Sequence, residues 1–151
     1  MPNWCEGTLK VRGKVEDLKR FVLEGLCPVG FLGEEKELLK FNEFDYIETE
    51  TACHIENTRR GFVKEGQYIE FCNEDDETEV ICLESKFAWG IDAEQLLQTC
   101  KKYNVDMKIY AFECGMEFNQ DIEIVNGKIV KNDEITFDDY RWECICSKLG
   151  G

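Results

Sequence analysis

One strand-to-helix junction limits what this chain can fold into. Ile81, Leu83 and Phe87 alternate with Val80, Cys82 and Glu84, the period of a strand with one buried face. Trp89-Gly90-Ile91 then turns the chain into an amphipathic helix over 92–103. Asp92 is a good N-cap, and Gln95 three residues on completes a capping-box-like pair. Leu96, Leu97, Cys100 and Tyr103 form its apolar stripe, and Lys101 and Lys102 suit the negative end of the helix dipole. Asn104 takes the left-handed conformation that ends it, and a strand over 106–114 returns. Trp89, closing a core strand just before the cap, is expected to pack between this helix and the sheet.

The rest of the chain extends that unit. A first strand over 3–12 puts Cys5, Leu9 and Val11 on one face and Trp4, Glu6, Thr8, Lys10 and Arg12 on the other. A helix over 15–26 carries Val15, Leu18, Phe21, Val22 and Leu26 as its stripe, with Glu16 and Asp17 in the first turn. Residues 28–50 read as an insertion, with a helical turn over 34–39, and 51–57 as a short strand. Segments 66–73 and 77–89 read as a hairpin with the polar tip Asn73-Glu74-Asp75-Asp76-Glu77. Asn126-Gly127 signals a type I′ turn between strands 117–125 and 128–136. The tail, 137–151, reads as a last edge strand or a segment docked on the body. The order β-α-β-β-α-β predicts one domain over 1–151. Its class is a ferredoxin-like α+β sandwich, an antiparallel sheet with two helices on one face, plus the insertion 28–50 and an appended hairpin and tail 117–151.

Charge and cysteine content narrow the function classes. Asp and Glu number 32 against 18 Lys and Arg, a formal net charge of -14. Such an excess repels nucleic acid and anionic lipid. The nine cysteines are scattered, without a C-x-x-C pair, and Cys144-x-Cys146 is the tightest spacing. They are expected to be reduced, mostly buried and free of metal. No apolar run approaches the roughly 20 residues of a membrane helix. The opening Met1-Pro2-Asn3-Trp4-Cys5-Glu6 lacks the basic and apolar regions of a signal peptide. The expectation is a soluble, cytoplasmic protein with no membrane partner.

Met1-Pro2-Asn3-Trp4-Cys5-Glu6-Gly7-Thr8-Leu9 resembles the opening of the YubB-type ferredoxin-like family of phage, plasmid and mobile-element proteins. The second half agrees, with a Phe87-x-Trp89 strand end and then Ala111-Phe112-Glu113-Cys114-Gly115-Met116-Glu117-Phe118 before a hairpin. Insertion 28–50 lies outside the resemblance. Where the family usually has prolines after the tryptophan, this chain has Gly90-Ile91-Asp92; where it has an Ala-Gly step, Asn119-Gln120 stand. That family is largely uncharacterised, so the resemblance implies a fold and a mobile-element setting rather than a reaction.

Few residues suggest chemistry. His54 is the single histidine, and Cys53 beside it points to the opposite strand face, so no Cys-His pair is expected. The common phosphate-binding, serine-hydrolase and zinc-protease motifs do not occur. Trp4, Tyr68 and Tyr110 are candidates for a shared sheet face of the kind that stacks bases, a role the acidity disfavours. Arg59-Arg60 is the one adjacent arginine pair. The sequence therefore points to a non-enzymatic binding protein without cofactor or metal, acting on a basic protein partner as a mobile-element accessory factor. The candidate contacts are Glu74, Asp75, Asp76, Glu77, Glu113 and Glu117. The alternative is a small enzyme or a divalent-metal site built on Glu113, Glu117, Asp121 and Glu123.

Overall fold

β1 (Trp4–Lys14) and β8 (Thr78–Ala88), each of 11 residues, pair antiparallel along their whole length. In the computed structural model, which describes residues 1–30, 39–41 and 44–151, they form the centre of an eight-stranded sheet. Between them run α1 (Val15–Arg20), continued by a π-helical turn (Phe21–Gly25), and then β2 (Leu26–Pro28), β3 (Leu39–Phe41), β4 (Phe44–Thr49), β5 (Cys53–Ile55), β6 (Gly61–Val63) and β7 (Gln67–Phe71). After β8 come α2 (Ala93–Tyr103), β9 (Asp106–Glu113), β10 (Phe118–Val125), β11 (Lys128–Thr136) and α3 (Tyr140–Glu143). The large sheet has the order β11-β10-β9-β1-β8-β6-β5-β2, and β3-β4-β7 form a separate small sheet.

Strand alternation builds the core. Leu9, opposite both Leu83 and Ile109, is fully buried, as are Val11 and Ile124 on the neighbouring rungs. Both helices bury their stripes against this face through Val15, Leu18, Leu96 and Cys100. Phe21 meets Tyr103 edge to face at 5.7 Å. The π turn brings Gly25 against Tyr103, where a Cβ would stand 2.9 Å from the ring. Ile47, Ile69 and Phe71 of the small sheet join the same core. Each fully buried large aliphatic contributes about 1.5–3 kcal/mol. The opposite face of the large sheet, with Lys10, Arg12, Cys82 and Glu84, is open to solvent.

This architecture corrects the expected two-helix ferredoxin-like α+β sandwich. Strands dominate, eleven among the described residues against three short helices, and the sheet is eight strands wide. Three-residue strands account for much of the difference. β2 and β6 carry only one or two alternations each, too few to read as strands, yet together with β5, which falls within the short strand expected over 51–57, they extend the sheet beyond β8. Hairpin β10–β11 is not an appendage, since β10 pairs with β9 and continues the same sheet. The expected hairpin of 66–73 with 77–89 is also absent: β7 pairs with β4, and β8 takes β6 instead. The intervening tip has another task. Val15 and Glu16 N–H donate to the carbonyls of Glu77 and Asp75 at 2.9 and 3.0 Å, so the tip caps α1, which has no side-chain cap. Part of insertion 28–50 is strand β3 and β4; the helical turn expected over 34–39 lies largely outside the described residues.

Helix α2 follows its sequence signals with one change. Asp92 caps it by accepting the Glu94 N–H at 3.0 Å, and Asn104 ends it at φ 55°. Gln95 does not reach back to the cap; its carbonyl oxygen accepts the Arg59 N–H at 2.8 Å. Among the described residues no helix is long and apolar enough to cross a membrane.

Candidate functional site

The acidic residues expected to form one contact face are divided between the two ends of β1. Glu74, Asp75, Asp76 and Glu77 lie beside the Lys14 end, where Thr78 pairs with Lys14. Asp75 is bound there by Lys19 at 2.8 Å. Glu113 lies at the other end, one residue beyond the Glu6–Phe112 pair. Nine residue steps along β1 separate the two sets by about 30 Å. Nor is Glu113 a surface charge. It is fully buried, and its carboxylate accepts the N–H groups of Gly115 and Met116 at 2.7 Å each. It closes the β9–β10 turn, leaving Glu117 exposed at φ 61°.

The carboxylates of the alternative reading do not converge either. Glu113 faces the core, whereas Asp121 and Glu123 lie on the open face of the sheet, where Lys131 and Lys108 bind them at 3.2 and 3.5 Å. Among the described residues no group of three His, Cys, Asp or Glu side chains is placed to hold a metal. His54 is held by the Thr58 carbonyl at 2.8 Å and packs edge-on against Phe62, while Cys53 is buried on the other strand face.

The end of the sheet where β1 begins at Trp4 has a different character. β8 stops at Ala88, and the next two residues take positive φ, Trp89 at 66° and Gly90 at 124°. Trp89 N–H donates to the Asn3 carbonyl at 2.8 Å, which anchors the turn to β1. The Gln120 side chain clamps the far side, accepting the Ile91 N–H at 2.7 Å and donating to its carbonyl at 3.1 Å. The turn throws the Trp89 indole outward: it is 62% exposed, not packed between α2 and the sheet as the sequence suggested. Continued alternation would bring position 89 inward after Phe87, but the strand ends at Ala88 and the left-handed turn at Trp89 swings the indole out.

Trp89 overlooks a cleft of about 510 Å³ whose walls include Arg59, Arg60, Phe87, Gln95, Phe118 and Glu134. Thr58 fixes the loop carrying the arginines, donating to the Ile55 carbonyl at 2.6 Å and accepting the Gly61 N–H at 3.1 Å. Glycine is required at 61, since a Cβ there would meet the Phe87 ring at 2.6 Å. Both arginines are exposed, and neither forms an ion pair among the described residues. Arg60 also lies over the Trp4 ring at 5.9 Å, with Lys86 at 4.8 Å. Trp4 and Tyr110 share the open face of the large sheet, but Tyr68 belongs to the small one, stacked on Tyr46.

The tail docks at this same end. Gly151 N–H donates to the Trp4 carbonyl at 2.8 Å, and the Cys114 thiol donates to the Gly150 carbonyl at 3.0 Å. Tyr140 O–H donates to Asn119, whose amide donates in turn to Tyr110 and Cys144. Burial pushes the Cys144 thiol up, but the bonds from Asn119, Tyr140 and the Cys146 backbone outweigh it and hold the thiol below its ordinary value. Anchored in this way, α3 and the residues after it present Trp142, 86% exposed, and Ile145, 90% exposed.

All nine cysteines stand as free thiols, but only Cys5, Cys53, Cys100 and Cys144 are buried. Burial pushes Cys5 up to about 12, helped by Glu113 and Glu6, and burial does the same to Cys100, helped by Asp106. Both are neutral, unreactive core thiols at physiological pH.

The sequence had flagged Arg59-Arg60 without a task, and it placed Trp89 in the core. The signal for exposure was present in Gly90, whose pairing with Trp89 breaks the strand one residue after the last inward side chain. The apolar residues of the tail, Trp142 and Ile145 in a run of charges, were a second signal. No family model, curated protein or solved structure matches the chain, so the YubB-type resemblance gains no support from relatives.

Proposed function

We propose that this chain is a non-enzymatic binding protein that docks a protein partner on the Trp4 end of its large sheet. The observation that carries the reading is Trp89. A bulky side chain in the left-handed region is held at a cost on the order of 1–3 kcal/mol, and such strain concentrates at functional positions. Here the strained residue is exposed, rigidly anchored and set above a cleft with two arginines that form no ion pair among the described residues. Exposed tryptophan and arginine are the residues that dominate protein-binding hot spots. The acidic tip is a weaker candidate, because its backbone caps α1 and Asp75 is already bound by Lys19.

The test is affinity capture with three forms of the protein: wild type, Trp89→Ala, and the fourfold reversal Glu74→Lys, Asp75→Lys, Asp76→Lys, Glu77→Lys. A partner held by wild type and the fourfold variant but lost with Trp89→Ala supports the reading. A partner indifferent to Trp89→Ala and lost on the charge reversal moves the contact to the acidic tip.

A further inference from the structure

We infer that this chain dimerises by joining the free edge of β11 to the same edge of a second copy, antiparallel about a two-fold axis through Asn132. The contact uses a sheet edge rather than the Trp89 turn, and so goes beyond the docking reading. β11 ends the large sheet, and among the described residues no strand pairs with its outer side. Its nine residues, Lys128–Thr136, include no proline. The opposite edge differs: β2 has three residues and ends on Pro28, which cannot donate to a further strand. A long row of unpaired backbone N–H and C=O groups is a template for another strand. Val130 on this edge is 58% exposed, and Ile129 and Ile135 are only half-buried, so pairing would also remove apolar surface from water.

The charges on β11 select both the occupant and the register. A two-fold axis perpendicular to the sheet keeps each side chain on its own face, so β11 meets its copy with one residue opposite itself. All nine residues pair only when that residue is Asn132. Lys131 is then opposite Asp133 twice, once on each side of the axis, an attractive cross-strand pair. Centring one residue away, on Lys131 or on Asp133, shortens the ladder and sets like charge against like. The register of β10 and β11 shifts beyond Lys131, between Glu123 and Ile124, so the three central rungs are regular. Asp133 lacks a cation where it stands: it lies directly across from Asp121, a like-charge pair, and forms no ion pair among the described residues. Lys131 has donors to spare. Asp121 takes its ammonium at 3.2 Å, the side chain stays 40% exposed, and an ammonium carries three N–H groups. Joining the two edges consumes both, so the assembly closes at two copies. Chains of net charge -14 repel at long range, but at physiological salt the Debye length is about 8 Å, so remote carboxylates are screened while contact pairs are not.

Sedimentation velocity on the full chain at physiological salt, from about 1 to about 200 μM, reads the equilibrium directly. Wild type should pass from monomer to dimer within that range and form nothing larger. Lys131→Asp sets carboxylate against carboxylate on both sides of the axis, and Asp133→Lys sets ammonium against ammonium. Each should weaken the dimer by roughly tenfold or more. Neither side chain is buried, so far-ultraviolet circular dichroism should show both variants folded. Two arms restore the opposite-charge pairs and are decisive: an equimolar mixture of the two variants, and the double variant Lys131→Asp with Asp133→Lys. Both should recover wild-type association. The double variant keeps the wild-type net charge, so a general charge effect does not account for its recovery. Trp89→Ala should leave the dimer unchanged. A wild type that stays monomeric, single variants that dimerise as wild type does, or single variants rescued in neither arm overturn the inference. A dimer lost with Trp89→Ala overturns it as well and moves the self-contact to the docking end. A monomeric wild type that captures a Trp89-dependent protein overturns the dimer and leaves the docking surface standing.

Discussion

Raising the pH from 8 to 10 should unfold this protein more readily, and two buried thiols give the size of the effect. Cys5 and Cys100 are each pushed from 9.0 to about 12, chiefly by burial. A group whose folded value lies above its unfolded value contributes stability that is present below the unfolded value and is lost as the pH climbs toward the folded one. The window for these thiols therefore opens near pH 9. At pH 10 the unfolded thiols are mostly ionised and the folded ones are not, which costs about 1.4 kcal/mol per thiol and about 3 kcal/mol for the pair. Tyr103, raised by burial and its bond to Glu56, adds to the same trend chiefly above pH 10. Urea titrations followed by circular dichroism at pH 8, 9 and 10 measure the loss. The variant Cys5→Ala with Cys100→Ala starts less stable, because two core side chains shrink, but its stability should be nearly flat over the same window. A wild type losing under about 1 kcal/mol, or a double variant falling as steeply as wild type, would refute the reasoning.

Three substitutions test the site's construction. Trp89→Gly should raise stability by about 1 kcal/mol in urea titration, because glycine adopts φ 66° without strain, while removing the docking side chain. Gly61→Ala forces a Cβ to 2.6 Å from the Phe87 ring and should cost about 1–3 kcal/mol in the same assay. Glu113→Ala leaves the Gly115 and Met116 N–H groups without their acceptor and should cost about 2–4 kcal/mol. It should also lower the Cys5 thiol, since the Glu113 charge helps hold it up, which faster thiol alkylation at pH 9 would report.

The long strands and α2 were legible because each carries several turns of one period. β1 and β8 repeat their alternation across 11 residues, and α2 adds a capping aspartate and a left-handed asparagine at its ends. β2 and β6 were not legible, for each is three residues long and a single rung of alternation is indistinguishable from loop, whereas β5 falls within the short strand expected over 51–57. The misread hairpin has a related cause. Asn73 to Glu77 is rich in turn formers, and turn chemistry states that the chain reverses without stating which strands then pair. Pairing is a tertiary outcome here: β7 leaves for β4, and the freed tip supplies carbonyls to the uncapped start of α1.

The site was hidden for a different reason. Charge was the loudest feature of the sequence, and it drew attention to carboxylates that the fold assigns to structural work. Glu113 closes a turn, Asp75 binds Lys19, and Asp121 and Glu123 each meet a lysine. In a chain with 32 acidic residues a cluster of carboxylates carries little information, whereas two adjacent arginines that form no ion pair among the described residues carry a good deal. The same holds for the tryptophans. Three occur in the chain, and two of them are mostly exposed, Trp89 held there by an unfavourable backbone angle and Trp142 by a capped helical turn. Hydrophobic burial would have drawn both inward had the local geometry allowed it. The geometry instead fixes both outward at one end of the sheet, and that opposition between the solvent preference of an indole and its enforced position is the strongest physical reason to place the contact there.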